Sequence, residues 1–292
     1  TYTQMLNPSG GIEADVTISC LKENYFRIVC PALARVHNKN HILRNIKQEI
    51  KFKDVTDDFS SLGVFGPNSR KFLTSLVGNH FLNKDFPFAT GKYINFLNVN
   101  IWFQRLSFVG ELGWELYVPI KDSKKIFNKI QSLGNKYNLC NSGMHTMDML
   151  RLEKKFLHWG HDIPSENNPI EAGLRFAVSL KKKYDFIVRK SIEKIISQPL
   201  KKKLELFSLK KCKEPGKPLL MHDEPIFFNN KIVGYSTSSN YSFNYKKNIF
   251  LAYVKSDVDI VKKLTIEIEG KKYQLNHEKE CLHDPSGIML RN

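Results

Sequence analysis

Between Ile12 and Ser19 the chain alternates, with Ile12, Ala14, Val16 and Ile18 apolar and Glu13, Asp15, Thr17 and Ser19 polar. A period of two is that of an extended strand with one buried face. A strand is therefore predicted here, followed past a Lys22–Asn24 turn by a second over FRIVC (26–30). Residues 33–50 change to helical spacing with many polar positions. DVTDDFSSLGVFGP (54–67) reads as a strand ended by Gly66-Pro67, with Asn68 placed to cap a helix over SRKFLTSLV. The β-branched and aromatic run KYINFLNVNIWFQRLSFVGELGWELYVP (92–119) predicts hairpin strands. Asp122 and Ser123 are cap candidates for a helix over KKIFNKIQSLGNKY. After Gly143, HTMDMLRLEKKF predicts another helix, closed by a turn at Trp159-Gly160.

The lysine-dense stretch 181–203 reads as a linker. Beyond it, residues 204–292 are short strands punctuated by Pro215-Gly216, Asn229-Asn230 and Lys246-Lys247, the pattern of a small antiparallel barrel. Strands and helices in segregated blocks predict an α+β chain in at least two pieces, 1–190 and 204–292. Neither a repeat of solenoid length nor an apolar run near the roughly 18–20 residues of a membrane-spanning helix is present.

Composition sharpens this little. Across 292 residues, 41% are hydrophobic, which suits a folded chain rather than a disordered one. The 45 Lys and Arg against 29 Asp and Glu leave a formal charge of +16, which favours anionic partners. The lysines are nevertheless scattered as well as clustered, as on a solvated surface. Cys20, Cys30, Cys140, Cys212 and Cys281 are widely spaced, with no C-x-x-C. That pattern argues against a zinc site or disulfide framework and for reduced thiols, hence the cytoplasm, or the mitochondrial matrix in a eukaryote. The opening TYTQMLNPSGG has no initiator Met and reads as the middle of a strand, so a piece of a longer, N-terminally incomplete polypeptide is expected.

Three segments are candidates for chemistry. In GGIEAD (10–15), the strand fixes Asp15 on the face opposite Ile12 and Ala14; it is either solvated there or, at the mouth of a cavity, able to take a proton from an amine. In RLSFVGELGWEL (105–116), alternation sets Phe108 and Gly110 on one side of a strand, and the Gly110–Gly113 break resets the register before Trp114-Glu115. An inward Glu115 would need paired donors, which the N–C–N edge of a heterocycle supplies; the alternative is an exposed Glu on a surface hairpin. In MDMLRLEKKFLHWGHDI (147–163), Met147, Leu150, Phe156 and Leu157 read as core, and Arg151 and Glu153 as members of structural ion pairs. The H-x-x-H-D at its end lacks the i,i+4 pairing of zinc-binding helices, so no metal is expected. G-x-G-x-x-G, Walker A and G-x-S-x-G motifs are all missing, which removes support for dinucleotides, nucleoside triphosphates and serine hydrolysis.

Taken together, TYTQMLNPSGGIEADVTI, LGVFGPNSRKFLTSL, RLSFVGELGWELYVP, GMHTMDMLRLEKKFLHWGHDI, NPIEAGL and the terminal DPSGIMLR run in the order seen in the aminomethyltransferase (glycine-cleavage T-protein) family. They look most like its fused branch, the folate-binding C-terminal half of sarcosine and dimethylglycine dehydrogenases. The resemblance implies a three-lobed α+β fold around a channel for tetrahydrofolate, with a C-terminal antiparallel β-barrel lobe. It implies that Asp15 is the catalytic aspartate beside the folate nitrogens, that Glu115 grips the pterin, and that Tyr2, Phe108 and Trp114 belong to the folate-binding set. Phe108 stands where the family often has Tyr, losing a hydroxyl while keeping the ring. Met147 stands where stand-alone T-proteins tend to have Arg, which weakens the case for a glycine-cleavage component docking a lipoyl carrier.

The function so implied is capture of an iminium carbon as 5,10-methylenetetrahydrofolate. FAD would sit in a fused flavin domain outside these residues, and a small N-methyl amine would be the carbon source. Neither membrane nor nucleic acid is expected as a partner, and part of the positive charge would steer the folate's polyglutamate tail. Two alternatives stand beside it: a stand-alone aminomethyltransferase, and a non-catalytic folate-binding module contacting RNA. The K-G-C-Y-x-G-Q-E motif of the iron–sulfur branch is missing, with KKFLHWGHDI in its place. Nor is there an RNP-like or helix-turn-helix signal for a general nucleic-acid binder.

Overall fold

The computed structural model describes residues 1–211, 214–260 and 263–292. Strands β1 (Tyr2–Leu6), β2 (Ile12–Lys22) and β3 (Tyr25–Val29) form a three-stranded sheet in that order. Ile12, Ala14 and Val16 are buried while Glu13, Asp15 and Thr17 between them are half-buried, the predicted alternation. Helix α1 (Arg35–Asn45) is shorter than the 33–50 of the periodicity, and Ile50 beyond its end lies exposed.

The next strand is β4 (Phe59–Phe65), followed by α2 (Ser69–Val77). Asn68 precedes the helix but makes no side-chain cap bond; instead the Ser69 hydroxyl donates to the Leu112 carbonyl. Strands β5 (Gly91–Phe96), β6 (Val99–Gln104) and β7 (Gly113–Pro119) join β4 in an antiparallel sheet of order β4-β7-β6-β5. The expected strand through 105–112 is instead a loop. Arg105 is buried at its start, its backbone still paired with Ala89 and Thr90 and its guanidinium donating to the carbonyls of Phe86 and Arg291, at 2.7 and 2.5 Å.

Helix α3 (Ser123–Gly134) follows. Asp122 occupies its N-cap position without a side-chain cap bond, and the Ser123 hydroxyl donates instead to Ser60 and to the Pro119 carbonyl. Helix α4 (Met144–Glu153) stops short of Lys155, where φ is +58°, and so before the predicted Trp159-Gly160 turn. Its buried apolar side chains are Met149 and Leu152, with Met147 and Leu150 only half-buried. The lysine-dense stretch read as a linker contains α5 (Arg189–Ser197), whose Ile192 is wholly buried. The lysines around that apolar face hid it.

The last strands are β8 (Lys202–Leu209), β9 (Pro225–Phe228), β10 (Lys231–Ser242), β11 (Lys247–Lys255), β12 (Thr265–Ile268) and β13 (Lys271–Glu278), before a short α6 (Ile288–Arg291). They close into a barrel in the order β10-β11-β8-β13-β12-β9. Closure leaves no open sheet edge, and Phe207, Phe250 and Ile266 pack in one of its cores.

The chain forms two compact units that interleave in sequence. The first comprises Thr1–Ile18, Ile28–Asn45 and Asp148–Leu282; the second Ser19–Arg27, Ile46–Met147 and His283–Asn292. The first unit holds most of the N-terminal sheet, α1, α5 and the barrel, with Ile12, Leu152, Leu206 and Tyr253 in one core. The second is built on the β4–β7 sheet and centred on Trp114, which meets Phe81 edge-on with ring centroids 5.1 Å apart. Cys20, Cys30, Cys140 and Cys281 are free thiols; Cys212 lies outside the described residues. Among the described residues, no helix is long and apolar enough to cross a membrane.

Candidate functional site

In the first unit the approach to Asp15 is set by Asn7. Its side-chain oxygen accepts from the amides of Ser9 and Gly11, at 3.1 and 3.0 Å, and its Nδ2 donates to the Ser165 carbonyl at 3.0 Å. Gly11 cannot be replaced freely: a Cβ there would lie 1.8 Å from the Ser165 oxygen. With the turn held, β2 leaves it in a single register and the alternation sets Asp15 away from the core.

Asp15 stands opposite Gln4 on β1, and Gln4 Nε2 donates to its Oδ1 at 2.7 Å. Burial pushes the Asp15 carboxyl up to about 6, against the opposing hydrogen bonds of Gln4 and Tyr2. A carboxyl of that strength holds or gives up a proton near neutral pH, the property required of a general acid or base. The two readings of Asp15 open from sequence are thus separated: it is half-buried and desolvated, not a solvated surface acid. Gln4 Oε1 is buried with no hydrogen-bond partner among the described residues. Tyr2, more than a third exposed, stacks on Phe176 with ring centroids 6.2 Å apart.

The second unit carries Glu115 on β7, half-buried, with Tyr117 two residues on and therefore on the same face. The Tyr117 hydroxyl donates to Glu115 Oε2 at 2.6 Å. Burial raises the Glu115 carboxyl above its ordinary range and the Tyr117 bond opposes this. Among the described residues Glu115 has no other hydrogen-bond partner, so its second oxygen is available to a donor. Across the sheet it faces Gly63 on β4 and Gln104 on β6.

Trp114 is correspondingly on the opposite face of β7. Its ring is wholly buried against Phe81 and Phe86, with the Arg70 and Arg105 guanidinium groups 5.4 and 5.5 Å from its centroid. It is a core residue that anchors the strand bearing Glu115. Phe108 lies half-buried in the 105–112 loop, not on a strand face as the alternation suggested.

Asp162 of the H-x-x-H-D segment sits in a buried hydrogen-bond network. Asp162 Oδ2 accepts from Arg151 at 2.6 Å and from the His158 amide at 2.9 Å, and Oδ1 from Thr237 at 2.6 Å. Arg151 also pairs with Asp148 and bonds to Ser238, whereas Glu153 accepts from Ser242 and Asn244. Sequence reasoning missed Gln4, Phe176 and Tyr117. Only Tyr117 left a signal, since a period of two places it beside Glu115.

An α+β chain with a desolvated acid on an N-terminal sheet and a closed six-stranded barrel at its end has the fold of the T-proteins. The solved glycine cleavage system aminomethyltransferase T from Bartonella henselae superposes with a TM-score of 0.81 at 20% identity, covering 99% of this chain and 76% of that one. Two family models match in succession, the GCVT N-terminal domain over residues 1–182 and the glycine cleavage T-protein C-terminal barrel domain over residues 202–284. The chain belongs to the glycine-cleavage T-protein family. It is 32% identical to human mitochondrial dimethylglycine dehydrogenase over 279 residues (93% of this chain, 31% of the relative). It is 31% identical to human mitochondrial sarcosine dehydrogenase over 270 residues (87% and 29%). An aminomethyltransferase from Halothermothrix orenii is 29% identical over 257 residues (88% and 70%). The chain thus spans about a third of the length of the dehydrogenases it matches.

Proposed function

We propose that this chain is the tetrahydrofolate-binding portion of a flavin-dependent N-methyl amine dehydrogenase of the sarcosine or dimethylglycine type. The flavin chemistry then belongs to the other two thirds of such a protein. Tetrahydrofolate supplies a nucleophilic nitrogen that captures the one-carbon unit, which leaves as 5,10-methylenetetrahydrofolate.

Two carboxyls have the properties this reading needs. Glu115, its second oxygen available, suits the paired N–H donors of a pterin edge. Asp15, with a carboxyl near 6, suits orienting a secondary amine and holding the proton it loses. The orphaned Gln4 Oε1 adds an acceptor for a polar ligand edge beside Asp15. Tyr2 and Phe176 offer adjacent aromatic faces. Reduced thiols and this chemistry together suit a cytoplasmic or mitochondrial-matrix protein.

The observation that carries the reading is the desolvated Asp15 held by Gln4, in a chain similar over nearly its whole length to two N-methyl amine dehydrogenases. The test is turnover of the full-length enzyme with sarcosine or dimethylglycine, measuring free formaldehyde against folate-bound carbon. Asp15→Ala should shift the product toward free formaldehyde while flavin reduction continues. An unchanged product ratio would remove Asp15 from the transfer.

A second reading, a stand-alone aminomethyltransferase, is favoured by the Halothermothrix relative, most of whose length the chain covers. The coding sequence preceding Thr1 separates the two, since a nucleotide-binding G-x-G-x-x-G segment several hundred residues upstream belongs only to the fused form.

A further inference from the structure

We infer that Arg27 is a positioning residue for Glu115: its guanidinium, lying over the rings of Phe59 and Tyr117, holds the Tyr117 hydroxyl on the Glu115 carboxylate. This rests on the pterin-binding role given to Glu115 above. Arg27 lies in β3 with its Cζ 4.8 Å from the Phe59 ring centroid and 5.1 Å from that of Tyr117. It is nine-tenths buried, and its Nη1 is sealed from solvent with no hydrogen-bond partner among the described residues.

A buried guanidinium without a carboxylate contact is costly, and an apolar residue would fill that strand position more cheaply. Two aromatic faces recover part of the cost. The nearby negative charge is Glu115, one hydrogen bond beyond the Tyr117 ring. A cation against the face of a phenol makes its O–H a stronger donor, so Arg27 strengthens the 2.6 Å bond to Glu115 Oε2. Burial chiefly, and then Glu115, hold the Tyr117 phenol un-ionised, while Arg27 acts on the same phenol in the opposite direction. No cross-strand neighbour does this work: Gly63 has no side chain, and the Gln104 Oε1 is occupied by Ser19 and Trp102, at 2.8 and 3.1 Å. With Oε2 fixed by Tyr117, the second oxygen of Glu115 keeps one orientation for the ligand.

The test is calorimetric titration of the full-length protein with tetrahydrofolate, alongside thermal melting. Arg27→Met, which keeps the bulk and loses the charge, should weaken binding about five- to tenfold with little change in melting temperature. Arg27→Lys should restore most of the affinity, which a packing role would not explain. In a Tyr117→Phe background, Arg27→Met should add almost nothing, because the phenol through which it acts is gone. Should Arg27→Met unfold the protein, Arg27→Gln read beside Arg27→Lys makes the same comparison. If Glu115→Gln loses binding and neither uncharged Arg27 variant does, or if their losses add in full to that of Tyr117→Phe, this inference is overturned. If Glu115→Gln itself binds as the wild type does, the role of Glu115 falls first.

Discussion

Gln4 and Asp15 face each other across β1 and β2, and Gln4 Nε2 donates to Asp15 Oδ1 at 2.7 Å. The bond favours the charged carboxylate, while burial favours the neutral acid and wins, leaving Asp15 near 6 rather than at 3.8. Catalytic and stability consequences both follow from that contest.

Asp15→Asn should abolish folate-dependent carbon transfer yet make the fold more resistant to heat at pH 7 and above. The folded-state value is raised, so the folded protein binds the extra proton between about pH 4 and 6, and stability is lost as pH rises through that window. The full effect is about 2–3 kcal/mol. Melting curves of both proteins from pH 4 to 8 should converge at the acid end; a gap that stays constant would contradict the assignment.

Removing Gln4's donor has the opposite character. Gln4→Leu should push the Asp15 carboxyl further above 6, moving the acid limb of the pH–rate profile for carbon transfer to higher pH. A limb that stays in place would show that another group sets it.

Glu115→Ala should weaken tetrahydrofolate binding by roughly 2–4 kcal/mol, the loss expected when a charged acceptor for two ligand donors is removed. Isothermal titration is the direct measurement, and an unchanged dissociation constant would exclude the role.

Arg151→Met should leave Asp162 buried without its cation and destabilise the first unit by about 3–5 kcal/mol. Urea unfolding would show it as a lowered midpoint. Such a loss would mark the Arg151–Asp162 pair as part of the fold's buried network.

Much of the fold was legible because buried faces impose a period. The alternation from Ile12 to Ile18 located β2 and set Asp15 on its less buried face, and the evenly punctuated strands after residue 204 announced the barrel. The errors arose where a polar side chain overrode the local pattern. Residues 105–112 form a loop in which the Arg105 guanidinium is buried on two carbonyls, so Phe108 is on no strand face. Lysines around α5 disguised a helix with a buried isoleucine face.

By itself the sequence determined the family, the strands that carry the two carboxyls and the side of β2 on which Asp15 stands, since these depend on residue types and periods of two; it left Glu115 either inward or exposed. Only the tertiary structure decided that Asp15 is paired with Gln4 and raised toward neutrality, that Glu115 is held by Tyr117, and that Arg27 lies against that phenol. Pairing, desolvation and stacking are made between residues brought together by strand register and packing, and no local stretch of chain encodes either.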